Sequence, residues 1–188
     1  MTIREMFERA HSTALAKCWY GPDGKEKRVV SELLCLFHSE VSEALEAYRD
    51  PSHELGDTWY GPDGKPEGIP SELADILIRI GDTCVHMDWV LPERLLDTQI
   101  SELNVRNVDM IIRSRHIPTE LVQMHNYLSE ILRKWAAHDQ KGIIEFTGSL
   151  IIYVGAVCQM YGWDLDKAVI GKLTYNDLRP ARHGGKRA

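Results

Sequence analysis

Four carboxylates stand in two closely spaced pairs, and their type and spacing could support metal chemistry. Glu40 and Glu43 are three residues apart, as are Glu72 and Asp75, and the second pair follows the first after 28 residues. Side chains at i and i+3 of a helix lie on one face, so each pair can direct two carboxylates to one point. Clustered carboxylates repel one another unless a cation joins them. Because all four ligands are oxygens, the pattern predicts Mg²⁺, with Mn²⁺ as an alternative.

Helices are the elements that must position these pairs. Apolar residues from Val30 to Tyr48 recur at the i, i+3, i+4, i+7 spacing of an amphipathic helix, and those from Leu73 to Cys84 repeat this spacing. Further helical stretches are predicted at 3–17, 93–106, 119–137, 142–161 and 164–178. Because no segment shows strand alternation, the predicted fold class is all-α. In such a helical bundle, two acid-bearing helices packed side by side would bring the four carboxylates together.

A long irregular segment, residues 50–69, lies between the two pairs and is rich in glycine and proline. A loop of this length in a compact protein tends to be functional. It contains the heptapeptide WYGPDGK at 59–65, which also occurs at 19–25. Since GPDG is a strong turn signal, one interpretation is two tight turns that lead into helices. The other is that Trp19 and Trp59 place their rings beside a shared pocket.

A second internal similarity predicts a duplication. The segment HSEVSEALEAY at 38–48 aligns with HNYLSEILRKW at 125–135 at an offset of 87, and 76–84 aligns with 150–158 at an offset of 74. The chain is therefore predicted to contain two related helical hairpins in tandem. The second hairpin keeps one of the four acids, and the aligned pairs are Glu40 and Tyr127, Glu43 and Glu130, Glu72 and Phe146, and Asp75 and Ser149.

Charge excludes one broad class of partner. The net charge of −6 combines a basic end, with six Lys or Arg and one acid from Lys167 to Ala188, and a remainder that carries −11. An acidic body repels a phosphate backbone over most of its surface, so no nucleic-acid polymer is expected as a partner. The basic end is either a solvated tail or a group of charges that meets a small polyanion.

Cysteine usage and hydropathy predict a cytoplasmic protein. Cys18, Cys35, Cys84 and Cys158 form no CxxC pair, which argues against zinc and against a disulfide framework. The N-terminus has acids and lacks the apolar region of a signal peptide. The longest apolar run, 150–158, has nine residues, fewer than the roughly 20 that a membrane-spanning helix needs. No contact with a membrane is expected.

The acid pairs and their surroundings resemble the MazG-like superfamily of all-α nucleoside triphosphate pyrophosphohydrolases. Its relatives include dimeric dUTPases, dCTP pyrophosphatases and phosphoribosyl-ATP pyrophosphohydrolases. The metal motif of this superfamily, E-x-x-E followed by E-x-x-D, occurs here as EVSE at 40–43 and ELAD at 72–75. The segments HSEVSEALEAYR, KPEGIPSELADILIRIGD and KLTYNDLRPARHGGK also look like the family. The resemblance covers roughly 28–86 and 163–186 and is weak across 87–162.

This resemblance implies Mg²⁺-dependent hydrolysis of a nucleoside or deoxynucleoside triphosphate to the monophosphate and pyrophosphate. The four acids would bind the metal, and Glu43 or Glu40 would take a proton from the attacking water. Residues of the C-terminal segment expected near the triphosphate are Lys172, Tyr175, Asn176, Arg179, Arg182, His183 and Lys186. The candidates for contact with the nucleotide base are His38, Trp19, Trp59 and Phe37.

The family resemblance also bears on assembly, because members usually build each site from two protomers. Residues 1–110 would then be the catalytic half, and residues 111–188 a degenerate half that takes the place of the partner. The chain is accordingly predicted to be an intrachain pseudo-dimer, or else a homodimer with two additional packing helices. Two other functions stay open: hydrolysis of phosphoribosyl-ATP, and a non-catalytic helical module that binds nucleotides.

Overall fold

The computed structural model describes residues 1–103 and 116–182, and most of these residues are helical. The all-α fold class predicted from the sequence is confirmed. In chain order the elements are α1 (Ile3–Ala16), α2 (Val30–Arg49), β1 (Trp59–Tyr60), β2 (Pro66–Glu67), α3 (Ile69–His86), α4 (Glu93–Leu96), a 3-10 helix (Ile100–Glu102), α5 (Ile117–Ala136), α6 (Gln140–Tyr161) and α7 (Leu165–Leu178).

Local sequence signals mark the ends of several helices. Thr2 starts α1 in a capping box with Glu5, because each side chain accepts a hydrogen bond from the backbone N–H of the other residue. Asp139 and Asp164 cap α6 and α7 by accepting a hydrogen bond from the backbone N–H three residues later. Helix α6 ends at Gly162, which has a left-handed φ of 73°.

The helices pair into two hairpins that share one core. Helix α2 packs on α3, α5 packs on α6, and α2 and α5 pack against each other, while α1 and α7 both pack on α3. The fully buried Val41 and Leu77 of the first hairpin belong to the same hydrophobic cluster as Leu128 and Val154 of the second. The core is therefore continuous across the two halves of the chain. Helix α7, from the C-terminal half, lies against the helix that carries the second acid pair.

Equivalent residues of the two hairpins meet where α2 contacts α5. His38 stacks on its aligned counterpart His125, with ring centroids 4.9 Å apart and ring planes 12° apart. The hydroxyls of Ser42 and its counterpart Ser129 donate to the carbonyl oxygens of these two histidines, at 3.0 and 2.9 Å. A residue that contacts its own equivalent lies near a local two-fold axis, as in a symmetric dimer interface. This contact supports the prediction of tandem hairpins.

The segment that follows α3 departs from the prediction. The sequence predicts one helix over 93–106, whereas the structure has the short α4 and a separate 3-10 helix, and the last three predicted positions lie outside the described ranges. Thr2 and Gln99 form an isolated antiparallel bridge, and the Ile3 amide donates to the Thr98 carbonyl at 3.0 Å. Pairing with the N-terminus uses backbone groups that a continuous helix would need, so the helix is interrupted there.

Two tight turns and a short ribbon shape the repeated heptapeptides. Strands β1 and β2 pair in antiparallel register, and each has two residues, too few to produce an alternating sequence pattern. In both GPDG copies the second glycine amide donates to the carbonyl of the first, at 3.2 Å for Gly24 to Gly21 and 2.9 Å for Gly64 to Gly61. The second glycine has a φ of 70° or 78°, which glycine adopts without strain. The turn interpretation therefore describes both copies.

Helix α6 has 22 residues and is apolar enough, by length and composition alone, to cross a membrane. In the fold, 61% of its most apolar window is buried inside the protein, and the helix packs against α5. The core helix of a globular protein passes the same compositional test. Burial in the shared core accounts for the composition of α6 without a membrane.

Candidate metal centre and adjoining cavity

Packing of α2 against α3 brings the two acid pairs together. One carboxylate oxygen from each of Glu40, Glu43 and Glu72 lies within 4.8 Å of the others. Glu40 and Glu72 are only 3% and 1% exposed, whereas the Glu43 side chain is 48% exposed. Asp75 follows Glu72 by one helical turn and lines the same cavity as Glu40 and Glu43. Three of the four predicted acids therefore converge, as the i, i+3 spacing on two neighbouring helices predicts, whereas Asp75 is not part of this group.

Two basic side chains are in direct contact with the buried acids. Lys172 of α7 is 1% exposed, and its Nζ lies 2.7 Å from Asp75 Oδ2 and 3.3 Å from Glu72 Oε1. Arg79 of α3 donates a hydrogen bond from Nε to Glu40 Oε1 at 2.6 Å. Both contacts offset part of the repulsion among the carboxylates. Burial opposes the charge of Lys172, but the adjacent carboxylates outweigh burial and raise the pKa of its ammonium group.

Lys65, at the end of the second GPDG turn, supplies a third cation. Its Nζ lies 3.2 Å from Glu43 Oε2, 3.2 Å from Glu67 Oε2 and 3.9 Å from Glu72 Oε1. Burial opposes the charge, but these carboxylates raise the pKa of the Lys65 ammonium. With Glu67 included, five carboxylates face three cations. When all eight groups are ionised, the excess of two negative charges matches the charge of one divalent cation.

Three of these groups were not identified in the sequence analysis: Lys65, Glu67 and Arg79. The spacing of Arg79 could have identified it, because Arg79 follows Asp75 by four residues and therefore lies on the same face of the helix. Lys65 belongs to the repeated heptapeptide, but its contact with Glu43 depends on the path of the loop. Residue spacing does not predict that path.

Burial raises the pKa of the two most enclosed carboxyl groups. For Glu72 it raises the pKa to about 9, more than the adjacent lysines lower it. For Glu40 burial also raises the pKa, against the opposing charge of Arg79. Glu72 Oε2 is buried and has no hydrogen-bond partner within the described ranges. Converging hard oxygen donors, one of them unpaired, fit a divalent cation of the Mg²⁺ type.

A cavity of about 280 Å³ adjoins the carboxylates. Its acidic wall contains Glu40, Glu43 and Asp75. The basic and amide side chains that line it are Lys17, Arg28, Arg79, Asn176 and Arg179. The large apolar and aromatic side chains that line it include Trp19, Leu33, Leu36, Phe37 and Ile78. The cavity therefore offers carboxylates for a cation, basic groups for an anion and an apolar wall for a planar ring.

Two of the seven predicted C-terminal residues line this cavity. Asn176 and Arg179 line it, and the Arg179 guanidinium lies 5.1 Å from the centroid of the Tyr175 ring. Tyr175 itself donates a hydrogen bond to Asp63 Oδ2 at 2.6 Å, so it joins α7 to the second GPDG turn. Lys172 contacts the acids rather than the open space of the cavity. Its structural partners are therefore carboxylates, whereas the sequence predicts phosphate as its ligand.

Arg182, the last described residue, forms hydrogen bonds with the loop after α1. Arg182 donates from Nε to the Cys18 carbonyl at 3.0 Å and from Nη2 to Glu26 Oε2 at 3.2 Å. It is not among the residues that line the cavity. His183 and Lys186, the other two tail residues predicted near the triphosphate, lie outside the described residues.

The four side chains predicted to contact a nucleotide base lie in three different places. Trp19 and Phe37 line the cavity. His38 instead stacks across the contact between α2 and α5. Trp59 stacks on His53, with ring centroids 3.9 Å apart, and does not line the cavity. A pocket shared by the two heptapeptide tryptophans is therefore not observed among the described residues.

The acids, the cations and the cavity form one candidate site. Its carboxylates could hold a cation, and they adjoin a space that is lined by basic and apolar side chains. No protein-family model matches the chain, and neither a curated protein nor a solved structure matches it. The functional interpretation therefore depends on the geometry of this site.

Proposed function

We propose that this protein hydrolyses nucleoside triphosphates, in the presence of Mg²⁺, to the nucleoside monophosphate and pyrophosphate. The observation that carries the proposal is the convergence of Glu40, Glu43 and Glu72 oxygens within 4.8 Å, beside a cavity with basic side chains. Mg²⁺ sites of this kind are commonly completed by substrate phosphates. A triphosphate satisfies both the ion and the basic residues. The four acids are also those of the motif that resembles MazG-like pyrophosphohydrolases.

Glu40, Glu43 and Glu72 would hold the ion, and Asp75 would supply a fourth carboxylate one turn from Glu72. When bound, Mg²⁺ neutralises charge on the phosphate oxygens and lowers the pKa of water in its shell. Lys172 acts as a positioning residue, because its Nζ holds Glu72 at 3.3 Å and Asp75 at 2.7 Å. Mn²⁺ is expected to bind the same oxygen ligands.

Glu43 is the best candidate for the general base. Its side chain is 48% exposed, so water can reach it, whereas Glu40 is buried and accepts a hydrogen bond from Arg79. In the reaction, the water oxygen bonds to phosphorus, the phosphoanhydride P–O bond breaks, and pyrophosphate leaves with the bonding electron pair. The water proton passes to Glu43. Lys65 Nζ, 3.2 Å from Glu43 Oε2, holds this carboxylate in position.

The remaining lining residues fit the rest of the substrate. Lys17 and Arg179 supply positive charge for phosphate oxygens, and a guanidinium can bind two of them at once. Asn176 offers an amide on the same helix as Arg179. The rings of Trp19 and Phe37 provide a surface on which a base can stack.

A pyrophosphate-release screen over all ribonucleoside and deoxynucleoside triphosphates with Mg²⁺ tests this proposal. Wild-type protein should release pyrophosphate from at least one of them, and Glu43→Gln should lose about 10²-fold or more of that rate. The matched control is Glu130→Gln, which changes the aligned acid of the second hairpin and should keep full activity. Turnover of phosphoribosyl-ATP alone would point to that alternative substrate. Nucleotide binding without pyrophosphate release would contradict the enzymatic proposal and favour a binding module.

A further inference from the structure

Two polar side chains that line the cavity carry unused hydrogen-bonding atoms. Nε and Nη2 of Arg28 are buried, and neither has a hydrogen-bond partner in the part of the chain that the structure describes. The same is true of Thr83 Oγ1, and Thr83 is only 2% exposed. Buried donors and acceptors are normally satisfied, because an unpaired one costs about 1–3 kcal/mol. A ligand in the cavity would supply the missing partners.

Asp82, a carboxylate that lines the same cavity as Arg28, is in contact with two other side chains. Its Oδ2 accepts a hydrogen bond from the Tyr20 hydroxyl at 2.7 Å, and its Oδ1 lies 2.8 Å from His11 Nδ1. His86 stacks on the Tyr20 ring, with centroids 3.9 Å apart, and keeps that ring in place. Both oxygens of Asp82 therefore have partners within this network, whereas Nε and Nη2 of Arg28 have none among the described residues.

Arg28 and Thr83 belong to the end of the cavity that lies away from the acid cluster. Helices α2 and α3 run antiparallel, since Glu40 pairs with Arg79 while Glu43 approaches Glu72. The part of α3 around Thr83 therefore lies beyond Arg79. It is about two turns, or roughly 10 Å, from Asp75. This distance suits a ligand whose phosphates lie at the acids and whose other end reaches Arg28.

The walls at this end are suited to a planar ring rather than to a second phosphate. Leu33 and Leu36 precede Glu40 by one to two turns on α2 and line the cavity, as does the Trp19 ring. Apolar walls with a few directed polar groups are typical of sites that recognise a small organic ligand. For the phosphates, the lining of the cavity also offers Lys17 and Arg179.

The two unpaired nitrogens of Arg28, Nε and Nη2, form a fork that restricts which base can bind. Nε and Nη2 lie on one edge of the guanidinium and donate two parallel hydrogen bonds, so they require two adjacent acceptors. Guanine offers O6 and N7, whereas adenine places a donor beside N7. Cytosine offers O2 and N3, whereas in uracil and thymine an N–H donor separates the two carbonyl oxygens. The fork therefore matches guanine and cytosine and mismatches the other bases.

We propose that Arg28, assisted by the Thr83 hydroxyl, recognises the base of the nucleotide and selects guanine or cytosine. The inference rests on the proposed function in that it takes the ligand to be a nucleotide with its phosphates at the acid cluster. Arg28 is thus the specificity-determining residue of the site, and Thr83 offers one further hydrogen bond to the same base.

Calorimetric titration with GMP, CMP, AMP and UMP tests this assignment without requiring turnover. GMP or CMP should bind about tenfold more tightly than AMP and UMP. Arg28→Lys keeps the charge but cannot make two parallel bonds, so it should bind all four with similar affinity. Arg28→Gln should lose the same preference, and Thr83→Val should weaken only the preferred nucleotide, by a few-fold. Arg49→Gln, a change in an exposed ion pair outside the cavity, should leave the preference intact.

Three outcomes would overturn the assignment. One is equal binding of the four monophosphates by wild-type protein. Another is a base preference that survives in both Arg28 variants. The third is a uniform loss of affinity in Arg28→Lys and Arg28→Gln, which would assign the fork to a phosphate. Failure of the proposed hydrolysis has a different signature, because base-selective binding would then persist without pyrophosphate release from any triphosphate.

Discussion

The hairpin α2–α3 and the hairpin α5–α6 share a framework but differ in what they bury. Both approach a neighbouring segment through a glycine: a Cβ added at Gly81 would lie 2.6 Å from the Phe7 ring, and one added at Gly155 would lie 2.2 Å from Leu103 Cβ. The aligned positions 40 and 79 carry the ion pair Glu40–Arg79, whereas 127 and 153 carry two buried tyrosines with ring centroids 5.5 Å apart. At these two positions the framework therefore holds an ion pair in the first hairpin and neutral rings in the second, where the Tyr153 hydroxyl donates a hydrogen bond to the buried acid Glu120.

This difference indicates why the first hairpin keeps its charges. A buried ion pair seldom adds stability over a neutral pair of similar size, because desolvation offsets the attraction. The second hairpin has uncharged rings at the corresponding positions. Tyr127 and Tyr153 occupy the paired positions, and Phe146 lies where the first hairpin has Glu72. Stability alone gives no reason to bury several carboxylates in one place. We infer that they are retained for a ligand.

The packing of the two hairpins on each other is relevant to how the chain is assembled. The second hairpin packs on the first through α2 and α5, with His38 against its counterpart His125. This is the contact that a second copy of the first hairpin would make around a two-fold axis. The intrachain pseudo-dimer therefore stays our prediction, with the second hairpin as a partner that has lost its own carboxylate cluster.

The largest effect on folding is expected from removing the cation of the buried ion pair. Arg79→Met leaves Glu40 buried without its partner, and we expect the free energy of unfolding to fall by about 2–3 kcal/mol. The lower part of the usual range applies because the Arg79 side chain is 34% exposed. Thermal unfolding should show a fall in Tm of roughly 5–10 °C. The double variant Glu40→Gln with Arg79→Met should recover most of this loss.

The matched control for that prediction lies in the second hairpin. Arg133→Met breaks the Arg133–Glu130 pair, in which the Arg133 side chain is 67% exposed. An exposed pair of this kind contributes little, so Tm should change by no more than about 1–2 °C. An equal loss in the two variants would show that burial does not distinguish the hairpins.

Glu72→Gln is expected to raise the stability of the fold, by less than Arg79→Met lowers it. Burial raises the pKa of Glu72 from 4.5 to about 9 in the folded protein. As the pH rises between these values, the unfolded chain releases the proton and the folded protein retains it, so folding becomes less favourable. Glutamine cannot ionise, so the variant should exceed the wild type in stability by about 1 kcal/mol or more at pH 8, or roughly 2–4 °C in Tm.

This gain should grow with pH and should be measured by thermal unfolding in the presence of a chelator. Glu130→Gln, a change in an acid that lies outside the carboxylate cluster, provides the control and should show no such gain. A variant that is less stable than the wild type across the whole pH range would mean that the ion pair between Lys172 and Glu72 stabilises the fold.

The sequence predicts the acid cluster well because helical periodicity determines which face a residue occupies. Glu40 and Glu43 needed only this periodicity and a neighbouring helix to meet the second pair. The partners of the acids were harder to predict, because they depend on tertiary packing. Lys172 meets Glu72 because α7 packs on α3, and Lys65 meets Glu43 because the loop folds over the cluster.

Other differences arise from pairing between distant segments. The predicted helix over 93–106 is interrupted because the N-terminus pairs with Gln99. Trp19 and Trp59 share a heptapeptide and a turn, yet they occupy different surroundings, since one heptapeptide follows α1 and the other lies in the ribbon before α3. No sequence pattern predicts the unpaired atoms of Arg28, because the hydrogen-bond partners of a side chain depend on the folded structure.

Equilibrium binding of Mn²⁺, followed by electron paramagnetic resonance, tests most directly whether the first hairpin alone is the metal centre. Wild-type protein and Glu130→Gln should bind Mn²⁺ with the same Kd, and Glu43→Gln should bind it at least about tenfold more weakly. Equal binding by all three proteins, or weakening by Glu130→Gln instead, would contradict the account.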